Sequence, residues 1–145
     1  MTTIAYKDGI LAADSQTTSG HIQSSSAFSK IRKFDDGYAA FTGSCKDIPI
    51  LFDLIRGKEV EGNAKDIDVT AIVMPNEGKP YEAYINSLGK LYKHPISNFS
   101  AIGSGWTIAM GAMQSGASAK EAVKAAIKLD IYSGGAVKWK KKGQK

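Results

Sequence analysis

The chain opens Met1-Thr2-Thr3-Ile4-Ala5-Tyr6-Lys7-Asp8-Gly9-Ile10-Leu11-Ala12-Ala13-Asp14, and the reading of this stretch governs the rest. Thr3 to Tyr6 and Ile10 to Ala13 are strand-like runs on either side of Lys7-Asp8-Gly9. Asp-Gly between such runs is a strong hairpin signal. Thr2 carries a second meaning. A small residue after Met1 permits removal of the initiator methionine, which leaves a hydroxyl and a free α-amine on one residue. That pair is a self-contained nucleophile and base, because the amine can take the hydroxyl proton. The reference pKa of an α-amine is roughly 7.7–8.0, so much of it is unprotonated near neutral pH. Alone, a Met-Thr start says little, since a plain cytosolic start reads the same way.

The 145 residues suffice for one domain with a sizeable core. No apolar run approaches the ~18–20 residues of a membrane span, and no basic segment followed by an apolar one opens the chain. The lone cysteine, Cys45, forbids an intrachain disulfide and fits a reducing cytoplasm. It has no evident Cys or His partners for a metal. The net charge of +5 raises nucleic acid as a partner. Its distribution argues against one: Lys138, Lys140, Lys141, Lys142 and Lys145 put five of the nineteen basic residues in the last eight positions. A single aromatic, Trp139, among them makes no stacking platform. The expected organisation is one domain over residues 1–137 and a solvated basic tail over 138–145.

Residues Thr17 to Ser26, rich in Ser, Thr and Gly, read as a loop. Strands are expected over Phe28 to Phe34 and Tyr38 to Thr42, joined by the turn Asp35-Asp36-Gly37. Ile48, Leu51, Phe52 and Ile55 then recur at helical spacing between Lys46 and Arg56, with Pro49 suited to the first turn. Further strands are expected over Val69–Met74, Tyr81–Asn86, Lys90–His94 and Phe99–Ile102. Trp106 to Gln114, small and apolar on most faces, reads as a buried helix. Ser118-Ala119-Lys120-Glu121 is a capping box opening another helix. A last strand covers Ala136 to Lys140. Groups of strands interrupted by helices, without strict alternation, predict an α+β layered fold.

Several segments together resemble the proteasome β-subunit family of N-terminal nucleophile hydrolases, with the HslV-type threonine peptidases nearest. They are Thr2-Thr3-Ile4-Ala5 with Leu11-Ala12-Ala13-Asp14-Ser15-Gln16; Ser29-Lys30-Ile31-Arg32-Lys33-Phe34; Ala40-Phe41-Thr42-Gly43-Ser44; Ala101-Ile102-Gly103-Ser104-Gly105; and Asp130-Ile131-Tyr132-Ser133-Gly134-Gly135. They run in family order across nearly the whole chain. The resemblance implies a four-layer αββα sandwich of two antiparallel sheets between helical layers. It implies a threonine-type endopeptidase with Thr2 as nucleophile and its amine as base. Lys30 would lie beside the hydroxyl, and Asp14 would pair with Lys30. A backbone N–H near Gly43 would form the oxyanion hole. Ser104, Asp130 and Ser133 would support the amine. Thr17, Phe28, Arg32 and Cys45 would line the pocket for the residue before the scissile bond. No cofactor is implied. The implied partners are a peptide or unfolded protein substrate, further copies in a homo-oligomeric ring, and an AAA+ unfoldase. The compartment is the cytoplasm, that of a host if so economical a chain is phage-encoded.

The chain departs from that family in places. Gly57 to Asp66 is too short and polar for the long second helix usual there, which bears on ring stacking and unfoldase docking. Trp106 replaces a usually small residue. Two other functions compete: a small-amide hydrolase of the same fold, and a catalytically inactive structural or inhibitory module.

Overall fold

The computed structural model describes residues 2–19, 22–25, 29–60 and 67–145. Its strands are β1 (Thr3–Lys7), β2 (Ile10–Ala13), β3 (Thr17–Ser19), β4 (Ile22–Ser25), β5 (Ile31–Phe34), β6 (Gly37–Gly43), β7 (Val69–Pro75), β8 (Tyr81–Ile85), β9 (Leu91–Pro95), β10 (Phe99–Gly103) and β11 (Lys138–Lys141). The helices are α1 (Ile48–Ile55), α2 (Trp106–Gln114) and α3 (Ala119–Leu129). β1 and β2 form the expected hairpin, with positive φ at both Asp8 (51°) and Gly9 (78°), the primed turn geometry that matches strand twist.

Two antiparallel sheets dominate, ordered β10-β1-β2-β11 and β5-β6-β7-β8-β9. Strand alternation sorts their side chains into layers. Ile4, Tyr6 and Leu11 of the first sheet meet Tyr38, Ala40, Ile72 and Met74 of the second in a core between the sheets. The outer face of the first sheet carries Ala5, Ala12 and Ala101, small enough for α2 and α3 to pack closely through Ala109, Met113, Ala122 and Val123. The outer face of the second sheet receives α1 through Ile48, Leu51, Phe52 and Ile55. The order is therefore helix, sheet, sheet, helix, and the fold is an α+β sandwich. Full burial of a side chain such as Leu51 stabilises by about 1.5–3 kcal/mol. The Ser118 capping box is complete, with Glu121 N–H on the serine oxygen and the Glu121 carboxylate on the Ser118 N–H.

Four sequence expectations change. The segment read as a loop from Thr17 to Ser26 contains the hairpin β3–β4, a separate two-stranded sheet. Its Ser/Thr-rich sequence shows no apolar alternation, and the pairing comes from the backbone. The strand expected from Phe28 begins at Ile31, and Phe28 itself lies outside the described residues. Helix α2 is not buried all round: only Ala109 and Met113 are fully buried, and Trp106 stands 51% exposed. The last strand, expected over Ala136 to Lys140, is the edge strand β11 at Lys138–Lys141 paired with β2, so the first residues of the segment read as a basic tail lie in the sheet. Lysines on an edge strand keep their charge in water while the backbone pairs inward.

Candidate active site

Antiparallel pairing brings the start of one strand beside the end of the next. Thr2 precedes β1, Asp14 follows β2, and Ser104 follows β10, so the first sheet delivers all three to one end. In the second sheet Lys30 precedes β5 and Gly43 ends β6, and the Phe41 N–H donates to the Lys30 carbonyl at 3.2 Å. Asp130 closes α3, with Ser133 three residues on. The inter-sheet core fixes these strand ends relative to one another.

The Lys30 ammonium donates to Thr2 Oγ1 at 2.7 Å and to Asp14 Oδ1 at 2.7 Å. Both ion-pair partners are buried, Asp14 completely. Burial pushes the Lys30 pKa below its ordinary value, and the Asp14 charge opposes that shift only in part. Asp14 is further held by the N–H groups of Thr3 (3.0 Å, to Oδ1) and Gly134 (3.1 Å, to Oδ2).

On the other side of Thr2, its nitrogen donates to Ser104 Oγ at 3.3 Å. With Met1 attached this atom is a peptide amide; loss of Met1 makes it a primary amine. Ser104 donates its own proton to Asp130 Oδ2 at 2.6 Å, and Ser133 does the same at 2.7 Å. With its proton committed, Ser104 faces the Thr2 nitrogen as an acceptor. An amine there would direct an N–H at Ser104 and keep its lone pair for another proton. Burial acts to raise the Asp130 pKa, but the hydrogen bonds from Ser104, Ser133 and the Tyr132 N–H outweigh it and hold the carboxyl below its ordinary value. Every buried side-chain polar atom among the described residues has a partner.

Two glycines are required by geometry. Gly103 has φ of +96°, and a Cβ there would collide with the Thr2 carbonyl. Gly43 has φ of +122°, and a Cβ would collide with the Asp68 carbonyl. That carbonyl already accepts the Ser44 N–H at 2.7 Å, and the Asp68 N–H is held by buried Asp47 at 3.0 Å. The turn is thereby fixed, and the Gly43 N–H remains the candidate oxyanion donor.

Of the residues proposed for a substrate pocket, Thr17 is partly buried on β3 and Arg32 is exposed on β5. Cys45 is exposed in the turn before α1. Sequence reading missed Thr3 and Gly134. The Thr3 hydroxyl, fully buried, lies 2.7 Å from Ser133 Oγ and completes the chain Thr3–Ser133–Asp130–Ser104. A hydroxyl beside Ala5 on a face packed against helices was the available signal, since a buried polar group must find a partner. Among the described residues, no group of three His, Cys, Asp or Glu side chains converges as a metal site. A cavity of about 660 Å³ opens at the far end of β1 beside Lys7 and Phe99, away from Thr2.

No protein-family model matches the sequence, nor does any curated protein. Solved structures do. HslV from Trypanosoma brucei aligns over 96% of this chain and 97% of its own, with 23% identity and a TM-score of 0.69. BPH of Thiobacillus denitrificans aligns over 96% and 95%, with 21% identity and a TM-score of 0.68. The same protein in complex with epoxomicin aligns over 96% of both chains, with 22% identity and a TM-score of 0.69. At such identities the likeness speaks for architecture, and it agrees with the helix–sheet–sheet–helix layering: this chain has the N-terminal nucleophile hydrolase fold of HslV.

Proposed function

We propose that the protein is an N-terminal threonine peptidase whose nucleophile is exposed by removal of Met1. The contact of Lys30 Nζ with Thr2 Oγ1 at 2.7 Å carries the reading, because a buried cation on that oxygen lowers the cost of forming an alkoxide. The Thr2 amine takes the Oγ1 proton, and Oγ1 attacks the scissile carbonyl. The Gly43 N–H donates to the resulting oxyanion; one such donor is worth about 2.7–4 kcal/mol. The amine then hands its proton to the leaving nitrogen, giving a free amine product and an ester on Thr2. Water, deprotonated by the same amine, cleaves the ester. Asp14 keeps Lys30 charged and in place, while Ser104, Asp130 and Ser133 orient the amine.

Peptides or unfolded chains are the substrates, with Thr17, Arg32 and Cys45 as the wall for the residue before the cut. Leu129 and Ile131, 73% and 80% exposed on either side of Asp130, offer apolar surface that a homo-oligomer would cover. Delivery by an AAA+ unfoldase rests on the resemblance alone. No helix among the described residues is long and apolar enough to cross a membrane.

Intact mass after treatment with epoxomicin tests the reading. The expected species lacks Met1 and carries one reagent mass, and Thr2→Ala carries none. Full retention of Met1 with no adduct, after methionine aminopeptidase treatment, would sink it.

The pH dependence follows from two groups with opposite requirements. The amine must be neutral, so kcat/KM should rise through its reference range of roughly 7.7–8.0. Lys30 must be charged, and burial lowers its pKa, so activity should fall again below the ordinary lysine range of about 10.4. Between the folded and unfolded Lys30 values the unfolded chain binds more protons, so this titration adds stability as pH rises. The alkaline loss of activity should therefore precede any fall in Tm. A profile flat above pH 8 up to the point of unfolding would contradict the role given to Lys30.

A further inference from the structure

The inter-sheet face of the second sheet is wider than the first sheet covers. Thr42, Thr70, Tyr84 and Tyr92 are successive cross-strand partners from β6 to β9, a row that starts beside Gly43 and runs outward. Glu82 and His94 are paired in the adjacent row. The first sheet ends at β10, so the outer part of this face is open. There Tyr84 and Tyr92 are exposed, with ring centroids 5.1 Å apart. Between the row and β10 lies a cleft of about 410 Å³, lined by Thr42, Thr70, Glu82, Gly103, Trp106 and Met110 among others. One end abuts Thr2 through Gly103. Glu82 reaches across to accept a hydrogen bond from Ser100 Oγ on β10.

We propose that this cleft holds the part of a polypeptide substrate on the leaving side of the scissile bond and selects a basic side chain there. The proposal rests on the reading of Thr2 as nucleophile. Its direction follows from proton transfer. The proton taken from Oγ1 passes through the Thr2 nitrogen to the leaving nitrogen, so the leaving segment must lie on the nitrogen's side. That nitrogen faces Ser104, and the cleft begins at Gly103. The charge preference follows from the lining. Glu82 is its one carboxylate, met by a hydroxyl, and no lysine or arginine lines the cleft among the described residues. Trp106, half exposed, lines the same cleft, and an indole face attracts a cation. A lysine or arginine side chain can lay its alkyl stem along Met110 and Trp106 while its head reaches Glu82.

The test uses binding and turnover together. Fluorescein-labelled peptides differing only in Lys or Glu after the central bond are titrated into Thr2→Ala protein by anisotropy. The Lys peptide should bind at least about tenfold more tightly, equivalent to about 1.4 kcal/mol. Glu82→Gln should bring the ratio close to one, and Glu82→Lys should invert it. Trp106→Ala should reduce it. Equal binding of both peptides, or a ratio indifferent to both Glu82 variants, would overturn the proposal. Turnover by the unsubstituted protein separates this from the peptidase reading. A coumarin amide, which has no residue beyond its scissile bond, reports the chemistry alone. Its hydrolysis without any Lys preference in the peptide pair would sink the cleft and spare the peptidase. A binding preference without any turnover would overturn the leaving-side assignment.

Discussion

Thr2→Ala should lower peptide hydrolysis by about 10³-fold or more while the protein stays folded. Removal of a covalent nucleophile leaves only the residual catalysis of binding and the oxyanion donor. The structural cost is modest. Thr2 sits just before β1, and loss of its hydroxyl removes one hydrogen bond to a charged group, about 1.5–3 kcal/mol. Lys30 keeps its bond to Asp14. Circular dichroism and Tm, measured beside turnover of an extended fluorogenic peptide, check both halves. Thr2→Ser supplies the positive control, since it retains a hydroxyl and an amine on one residue. Undiminished turnover by Thr2→Ala would end the peptidase reading outright.

Lys30→Met should damage activity and stability together. Asp14 is fully buried, and without Lys30 its charge keeps only the Thr3 and Gly134 N–H groups. Breaking a buried pair from one side typically costs about 3–5 kcal/mol. For a chain of this size that is a fall in Tm of roughly 6–20 °C. Turnover should fall by about 10²-fold or more, because the alkoxide loses its cation. The double variant Lys30→Met with Asp14→Asn separates the two effects. It removes the stranded charge, so part of the Tm should return, and activity should not. Recovery of activity along with Tm would show that Lys30 serves the fold rather than the chemistry.

Much of the architecture was legible because its signals were local. The Asp8-Gly9 turn, the spacing of Ile48, Leu51, Phe52 and Ile55, and the Ser118–Glu121 box each need only a few neighbouring residues. The resemblance supplied the layering, and the structural likeness to HslV agrees with it. What escaped depends on partners distant in the chain. Thr3 reads as an ordinary strand threonine until Ser133 is brought to it. Lys30 fell inside the strand expected over Phe28 to Phe34, yet it precedes β5 and is buried while Arg32 is exposed. The last strand was legible over Ala136 to Lys140, and only its bounds moved, to Lys138–Lys141. The hairpin β3–β4 was hidden by a composition that also suits loops. No sequence signal marked the open row from Thr42 to Tyr92, which exists only through the register of four strands.

The stitching of Thr3 to Ser133 and of Asp14 to Gly134 spans 130 and 120 positions of sequence. A chain growing from its first residue has made Thr2, Asp14 and Lys30 long before it has made Asp130, Ser133 and Gly134. During synthesis the surroundings of Thr2 and Asp14 thus stay incomplete until the end of α3 has left the ribosome and docked against the opening hairpin.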